Sequence, residues 1–570
     1  MMLESPPLLS GVLVAMAYRC DRLVCRVGVS DYIATLCAHV RIYIIRYMAR
    51  MMLRLVLKCL AHWYKYINKC TCIAKLCYLC GRICTIKCKS MKKLVISLAA
   101  AMAATSAFAG GLLTTTSQNA HYLRFFTQDA NITLTSLYAN PAGQAFLSNG
   151  WHMGISSMSA MQSRTIDTTT PLFKFNANNP NSMHQYKGDA FAPVVPAIDV
   201  TYNQDKWSIS AHLGLVGGGG ACEFENGLGS LETIAASSIY SVVFPALVGN
   251  IMSNGVPADQ AQAMAGQLFR YDLNSYMKGK QYYFGLQVGG TYKILDNLAV
   301  YAGVRGVYAT CNYNGYIQDM EYSVDGGQTF LPAHDPSVPF GNQNLSMNCE
   351  QVGFGVTPIL GIHYRPNKHW ELAAKYEFKT RIRLKNTSDM NKYTNFLATN
   401  PSSPAYPILS QFADGRKVAE DMPGLLTIGV QYSPIQDLRI AAAYHLFQDK
   451  SATKFADKHT SKYIDSNTME YLAGVEWKFC KWVTASCSWQ MTNYGLTDAY
   501  MNDVSFNLSS NSMGLGVRIH PTKLFNIDLG YMHTFYKDRE VKTQIAGLGT
   551  KSDLYSRTND VVGIGFNFAW

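Results

Sequence analysis

From residue 150 to the C terminus, apolar and polar positions alternate with a period of two rather than 3.6, which predicts strands rather than helices. In 471–479, Tyr471, Ala473, Val475, Trp477 and Phe479 share one face, and Leu472, Gly474, Glu476 and Lys478 the other. After a turn at Cys480-Lys481, Val483, Ala485, Cys487, Trp489 and Met491 alternate with Thr484, Ser486, Ser488 and Gln490. The sharpest case sets Trp370, Leu372, Ala374, Tyr376, Phe378, Ile382 and Leu384 against Glu371, Lys375, Glu377, Lys379, Arg381 and Arg383. Fourteen such segments can be counted, at 150–162, 188–204, 206–219, 278–295, 297–316, 345–365, 368–386, 418–434, 436–450, 465–480, 481–494, 503–520, 523–540 and 554–570. Tight turns such as Asp296-Asn297 and Pro366-Asn367 alternate with long connections, and Trp207, Trp370, Trp477, Trp482, Tyr364 and Tyr432 fall near strand ends. An even number of amphipathic strands with aromatic ends predicts a closed membrane barrel, its apolar side chains facing lipid and its charges facing the lumen. Lys375, Glu377, Lys379 and Arg381 are therefore expected in the lumen, as a mutually neutralised ladder rather than a carboxylate-binding site.

The segment before residue 110 changes the reading of composition. Met91 to Gly110 has the form of a secretory signal peptide: Lys92 and Lys93, an apolar run from Leu94 to Ala104, and a cleavage site at Ala107-Phe108-Ala109. Residues 1–90 then read as an unstructured upstream extension, with export by 91–109 and a functional protein beginning at Gly110. The net charge of +12 resides almost wholly in the extension, which has 14 Lys+Arg and 3 Asp+Glu. From 110 onward, 34 basic and 35 acidic residues balance, so a nucleic-acid partner is not expected. Ten of the 15 cysteines precede residue 91, and the remaining five, Cys222, Cys311, Cys349, Cys480 and Cys487, imply no disulfide framework. Cys480 and Cys487, flanking a strand start, are the pair expected to lie near each other.

Residues 110–149 are too many for a strand and too apolar for a disordered tail. They contain Arg124-Phe-Phe126-Thr-Gln-Asp-Ala130 and Leu137-Tyr-Ala-Asn140-Pro-Ala-Gly143. Further along stand Gly217, Gly218, Gly219 and Gly220, followed by Ala-Cys-Glu-Phe-Glu-Asn-Gly227. Lys375-Tyr-Glu-Phe-Lys-Thr380 and Thr497-Asp498 through Asp503-Val-Ser-Phe506 complete the set. With these motifs the chain resembles the FadL/TodX family of outer-membrane transport proteins for hydrophobic compounds. The resemblance implies an all-β membrane protein, a 14-stranded antiparallel transmembrane β-barrel over 150–570 with an N-terminal hatch at 110–149 plugging the lumen. It makes Asn140, Pro141 and Ala142 the hatch motif. Phe125, Phe126, Leu137, Tyr138 and Phe146 become candidates for the ligand pocket, and Gly217 to Gly220 the kink that opens the wall sideways. Four glycines at a strand end pair weakly and kink freely on their own account.

The insertion at 230–275 breaks the period of two and reads as a partly helical extracellular loop. Ile239, Val242, Val243, Ala246 and Leu247 form one apolar stripe, which the resemblance casts as the groove that captures ligand. The final Val562-Gly-Ile564-Gly-Phe566-Asn-Phe568-Ala-Trp570 resembles the C-terminal signal read by the barrel-assembly machinery. No nucleophile elbow, zinc-protease motif or phosphate loop is present, so neither an enzyme nor a metal or cofactor is expected. His363, His445 and His533 are expected as lumen or rim residues. The partners that the resemblance implies are a hydrophobic small molecule and the lipid and lipopolysaccharide of the outer membrane, and the resembled proteins work as monomers. The rival readings are a non-transporting surface protein, an adhesin or antigen using its long loops, and an open aqueous porin.

Overall fold

The alternating segments pair edge to edge into one antiparallel sheet whose first and last strands meet. In the computed structural model, residues 112, 114–116, 119–333, 344–403, 405–454, 458–545 and 547–570 are described. The extension 1–90, the signal peptide 91–109 and Gly110 lie outside the described residues. In chain order the principal strands are β1 (Gly150–Thr169), β2 (Met183–Gln204), β3 (Trp207–Phe224), β4 (Arg270–Leu295), β5 (Leu298–Ser323) and β6 (Leu345–Asn367). They continue as β7 (Trp370–Glu377), β8 (Arg383–Met390), β9 (Lys417–Ala419), β10 (Leu425–Ile435), β11 (Leu438–Phe447) and β12 (Ile464–Cys480). The last are β13 (Val483–Leu496), β14 (Ser510–Ile519), β15 (Phe525–Tyr536), β16 (Arg539–Ile545) and β17 (Gly549–Ala569). The pairs β7 with β8, β9 with β10, and β15 with β16 are each one interrupted stave, so fourteen staves form the wall. The wall closes where β1 pairs with β17, from His152↔Ala569 to Thr169↔Ser552.

Closure leaves no free edge, and the polarity of the two faces is the inverse of a soluble sandwich. Arg305, Lys375, Glu377, Glu470, Glu476 and Asp528 are buried inside, whereas Ile209, Leu286, Val304, Phe354, Val356, Leu360, Ile428, Val475 and Ile564 are exposed outside. Such a wall satisfies its backbone within itself and presents hydrocarbon outward, which is what a bilayer requires. The tight turns share one rim, where Trp151, Trp207, Trp370, Tyr432, Trp477 and Trp482 form an exposed aromatic girdle. Trp151 and Trp570 exchange backbone hydrogen bonds of 2.8 and 2.9 Å there, fastening the seam. The long connections share the opposite rim. β4 and β5 are 26 residues each, against about 9–11 needed to cross a bilayer, so the wall rises well beyond the membrane on that side.

Two expectations about the wall are corrected. Ile359 pairs with Glu377 but Val352 with Lys385, so seven steps along β6 face eight along β7 and β8. The extra residue lies in the break at 378–382 and reverses the faces beyond it. Lys375 and Glu377 point inward, but Arg381 is exposed while Thr380 and Ile382 beside it are buried, and half-buried Lys379 gives its Nζ to the Ser451 carbonyl at 2.8 Å. Cys480 and Cys487 are not partners: they stand opposite Val483 and Val475, and all five described cysteines are free.

Candidate functional site

The hatch fills the lumen at the short-turn end, and its local structure follows from its polar residues. Helix α1 (Ala120–Arg124) is capped by Asn119, whose Oδ1 accepts from the Tyr122 N–H at 3.0 Å. Asn140 caps the 3-10 turn Pro141–Phe146 in the same way, accepting from the Gly143 N–H at 3.1 Å, with Pro141 in the first position where no N–H is needed. The motif is thus a capped turn, and its Asn also reaches the wall, since Asn140 Nδ2 lies 2.8 Å from His363 Nδ1.

A ring of buried polar groups on the wall meets the hatch at Arg124, Asp129, Tyr138 and Asn140. Arg124 is fully buried between two carboxylates: Nη1 donates to Glu476 at 2.5 Å and Nε to Asp528 at 2.7 Å. Each carboxylate is shared with a wall arginine, Arg439 on Glu476 at 2.6 Å and Arg518 on Asp528 through two bonds of 2.8 Å. His445 stands between Glu470 (2.8 Å) and the hatch residue Asp129 (3.1 Å). His363 joins Asn140 to Glu371 (2.8 Å). Lys375 bonds Glu377 at 2.6 Å and the Tyr138 carbonyl at 2.8 Å, and Arg305 grips Glu377 through bonds of 2.6 and 2.9 Å. The Tyr138 ring lies under both cations, 4.4 Å from Arg305 and 4.8 Å from Lys375.

Between these polar posts, inward-facing glycines bring the backbone of the wall against the hatch. A Cβ at Gly514 would lie 2.5 Å from the Leu123 carbonyl oxygen, one at Gly530 2.5 Å from that of Ala120, and one at Gly516 2.5 Å from the Arg124 Cβ. Gly563, Gly474 and Gly429 meet Leu123, Thr127 and Asp129 in the same way. This seam is what reading the sequence missed; its signal was glycine at inward positions, as in Gly514-Leu-Gly516, where a side chain would otherwise fill the lumen.

The five predicted pocket residues do not come together in one cavity. Phe125, Phe126, Leu137 and Tyr138 are at most 3% exposed and form hatch core, so they line no open pocket in this state. Phe146 sits apart at the short-turn end, its ring against His363 at 5.2 Å and Arg365 at 5.2 Å.

On the other side of the lumen the wall is incomplete. β2 and β3 pair at Asp189↔Glu223 and again at Ile198↔Leu213, and the residues between, 190–197 and 214–222, make no ladder with each other. Gly217, Gly218, Gly219 and Gly220 lie in that stretch, with Gly218 at φ +102° and Gly220 at φ +77°. Two shifts in the β3–β4 register fall at the same place. Pro193 and Pro196, having no N–H, remove two donors from β2 here. The hatch approaches this window with its first described residues: Thr114 bridges to Gly217, and the Thr115 N–H donates to the Val216 carbonyl at 3.0 Å. Tyrosine hydroxyls tie that short segment to the rest of the hatch, Tyr138 to the Thr115 carbonyl (3.3 Å) and Tyr122 to Thr116 (3.1 Å).

No protein-family model matches the chain, and no curated protein matches it by sequence. Solved structures do match. The crystal structure of a Pseudomonas aeruginosa FadL homologue agrees with a TM-score of 0.55 over 81% of this chain and 100% of that one, at 13% identity. The chain has the fold of that FadL homologue. The toluene transporters TodX of P. putida and TbuX of Ralstonia pickettii match at TM-scores of 0.44 and 0.43, with 13% and 14% identity. They cover 77% and 79% of this chain and 94% and 100% of their own, and at those scores add nothing to the fold assignment.

In this FadL-like fold the outer mouth is closed by α2 (Gly229–Ser253) and α3 (Ala258–Leu268), after which β4 begins at Arg270, so the helical insertion ends before residue 275. α2 is anchored by Glu232, whose two oxygens take Asn176 (2.9 Å), Tyr271 (2.8 Å), Tyr186 (2.5 Å) and His184 (3.1 Å). Burial would raise the Glu232 carboxyl, but the hydrogen bonds from His184 and Tyr186 hold it below its ordinary value. Asp503 of the predicted motif accepts from the Ser230 N–H at 2.7 Å, a carboxylate at the first turn of α2. The predicted stripe is split: Ile239 and Leu247 are buried and Val243 half-buried, but Ala246 is exposed and Val242 is 69% exposed. The aromatics decide which side packs, because Tyr240 and Phe244 stack at 4.5 Å and Phe244 meets Phe175 and Phe269. Below the mouth, Phe173, Tyr186, Phe224, Met277, Phe506 and Tyr555 belong to one apolar cluster that reaches Leu112 of the hatch.

Proposed function

We propose that this chain is an outer-membrane channel for passive uptake of hydrophobic small molecules, of the class of long-chain fatty acids or aromatic hydrocarbons. The observation that carries the proposal is the unpaired window between β2 and β3. Inside lipid, each unpaired backbone group costs several kcal/mol, so a stretch of wall that gives up its ladder between β2 and β3 has reason to do so if something passes there. The window is bordered by buried Ala190, Ala192, Val195, Leu215 and Val216, which present no polar barrier to an apolar solute.

In this reading the cap of α2 and α3 collects the solute, the apolar cluster beneath receives it, and burial at about 25 cal/mol per Å² holds it. Retraction of residues 114–116 from Val216 and Gly217 then opens the window, and the solute leaves sideways into the bilayer. Phe126 and Tyr138 become ligand contacts only as the hatch shifts. The fold of a FadL homologue and the capped Asn140-Pro141-Ala142 turn support the same reading.

The test is uptake of a radiolabelled long-chain fatty acid and of a radiolabelled aromatic hydrocarbon by a transport-deficient Gram-negative strain. The chain is expected to raise uptake of at least one. Replacing Gly218 and Gly219 with Val is expected to leave a heat-modifiable barrel with uptake several-fold lower, because a Cβ at Gly218 would lie 2.4 Å from the Gln281 carbonyl oxygen in a backbone conformation L-residues avoid. Normal uptake by that variant defeats sideways exit, and sugar-driven swelling of liposomes containing the protein would point to a porin instead.

A further inference from the structure

The extra residue at 378–382 does more than displace Arg381 from the lumen. Beyond it, Arg381, Arg383 and Lys385 all point outward, and Lys417 of β9 stands directly opposite Lys385. Two like charges facing each other across a ladder repel unless something between them is negative. Arg383 has a partner in buried Asp421 at 2.8 Å, and Glu350 lies one step further out, opposite Thr387. Four cations therefore face the carboxylates of Asp421, Glu350 and, farther out on β8, Asp389.

The height of the strip matters as much as its sign. Arg381 is eleven residues beyond Trp370 of the aromatic girdle. At a rise of about 3.3 Å per residue and a tilt of about 40°, that is about 28 Å along the barrel axis, against an apolar band of about 25 Å. Below the cations the same face is hydrocarbon, with Phe378, Leu360, Ile362 and Leu372 all exposed, and exposed Val352 stands directly opposite Lys385. Acyl chains lying on that apolar surface would bring their head groups level with Arg381, with Lys385 and Lys417 about 10 Å farther out along the axis.

We infer that Arg381, Lys385 and Lys417, with Arg383 beside them, bind the phosphate groups of a lipid in the surrounding leaflet. The inference goes beyond transport and rests only on the barrel spanning a membrane. An ammonium or guanidinium at the head-group level forms charge-assisted hydrogen bonds with phosphate oxygens, and several together hold a doubly phosphorylated lipid better than a singly charged one.

The test uses the full chain in phosphatidylcholine nanodiscs doped either with bis-phosphorylated lipid A or with the same lipid after dephosphorylation, and native mass spectrometry counts the lipids retained. Wild type is expected to retain at least tenfold more of the phosphorylated form. The variant Arg381→Ala/Lys385→Ala/Lys417→Ala is expected to fall to within twofold of the dephosphorylated level, while Lys478→Ala/Lys481→Ala on the opposite rim stays at the wild-type level. Equal retention of the two lipids by wild type overturns the inference, as does a triple variant that retains as much as wild type or an equal loss in both variants. Should the triple variant give no heat-modifiable barrel, Lys417→Gln decides alone, with about threefold loss expected and unchanged retention overturning the site.

Discussion

The two sides of the hatch are held in opposite ways. Against β12 to β15 it is clamped by Arg124 between Glu476 and Asp528 and seated on the glycines at 514, 516 and 530. Against the β2–β3 window, the described residues of the hatch give a backbone hydrogen bond from Thr115 and a bridge from Thr114, with Phe126 and Tyr138 in the apolar clusters of Leu215 and Val216. On the proposed reading only residues 114–116 beside the window need to move, while the clamp keeps the rest of the plug in the barrel. The contrast also separates two kinds of polar contact. Both are buried, but those in the clamp would leave bare charges if broken, whereas the latch is a neutral backbone hydrogen bond whose loss costs less.

The largest effect should come from the clamp. Arg124→Met leaves two buried carboxylates short of a partner and is expected to cost on the order of 3–5 kcal/mol, read as a lower temperature for loss of heat-modifiable mobility and as protease access to the hatch. Arg124→Lys, which keeps the charge without the fork, should fall between. Next is the seam: Gly530→Val drives a side chain towards the Ala120 carbonyl and should cost about 1–3 kcal/mol in the same assay. Thr115→Pro removes only the latch donor and should cost about 0.5–1.5 kcal/mol while raising uptake or leak through the window. A latch variant as damaging as the clamp variant would erase the distinction between the two sides.

The smallest effect lies outside both. Glu232→Gln is expected to loosen α2 alone, seen as faster protease cleavage within 229–268 while the barrel melts as before. The folded Glu232 is held below the ordinary Glu value of about 4.3, so its contribution to docking is complete above that pH and is lost as the pH falls through the depressed value. Cleavage of α2 in wild type should rise on acidification in that range and be indifferent to pH in the variant.

Much of the wall was legible because a strand half in lipid writes its period of two directly into the sequence. The same rule failed at Arg381, where one inserted residue flips every face beyond it and leaves no mark in composition. The stripe on α2 was half right: Ile239 and Leu247 pack, but the heavier Tyr240 and Phe244 turn the helix so that Val242 and Ala246 face out. The hatch was legible as a segment from its capped Asn140-Pro141-Ala142 turn. Its contacts were not, because Arg124 and Asp528 are 404 residues apart and nothing near either names the other.

That separation bears on how the molecule is made. The clamp joins the first helix among the described residues to strands 352 and 404 residues later, so the long loop it closes adds nothing until β12 to β15 are in place. A cylinder sealed at β1 and β17 before the hatch entered would be an empty tube in which Glu476 keeps Arg439, and Asp528 keeps Arg518 and Asn567, but neither has Arg124. The clamp can therefore form only late in biogenesis, and a chain that loses Arg124 should reach the sealed, heat-modifiable form more slowly.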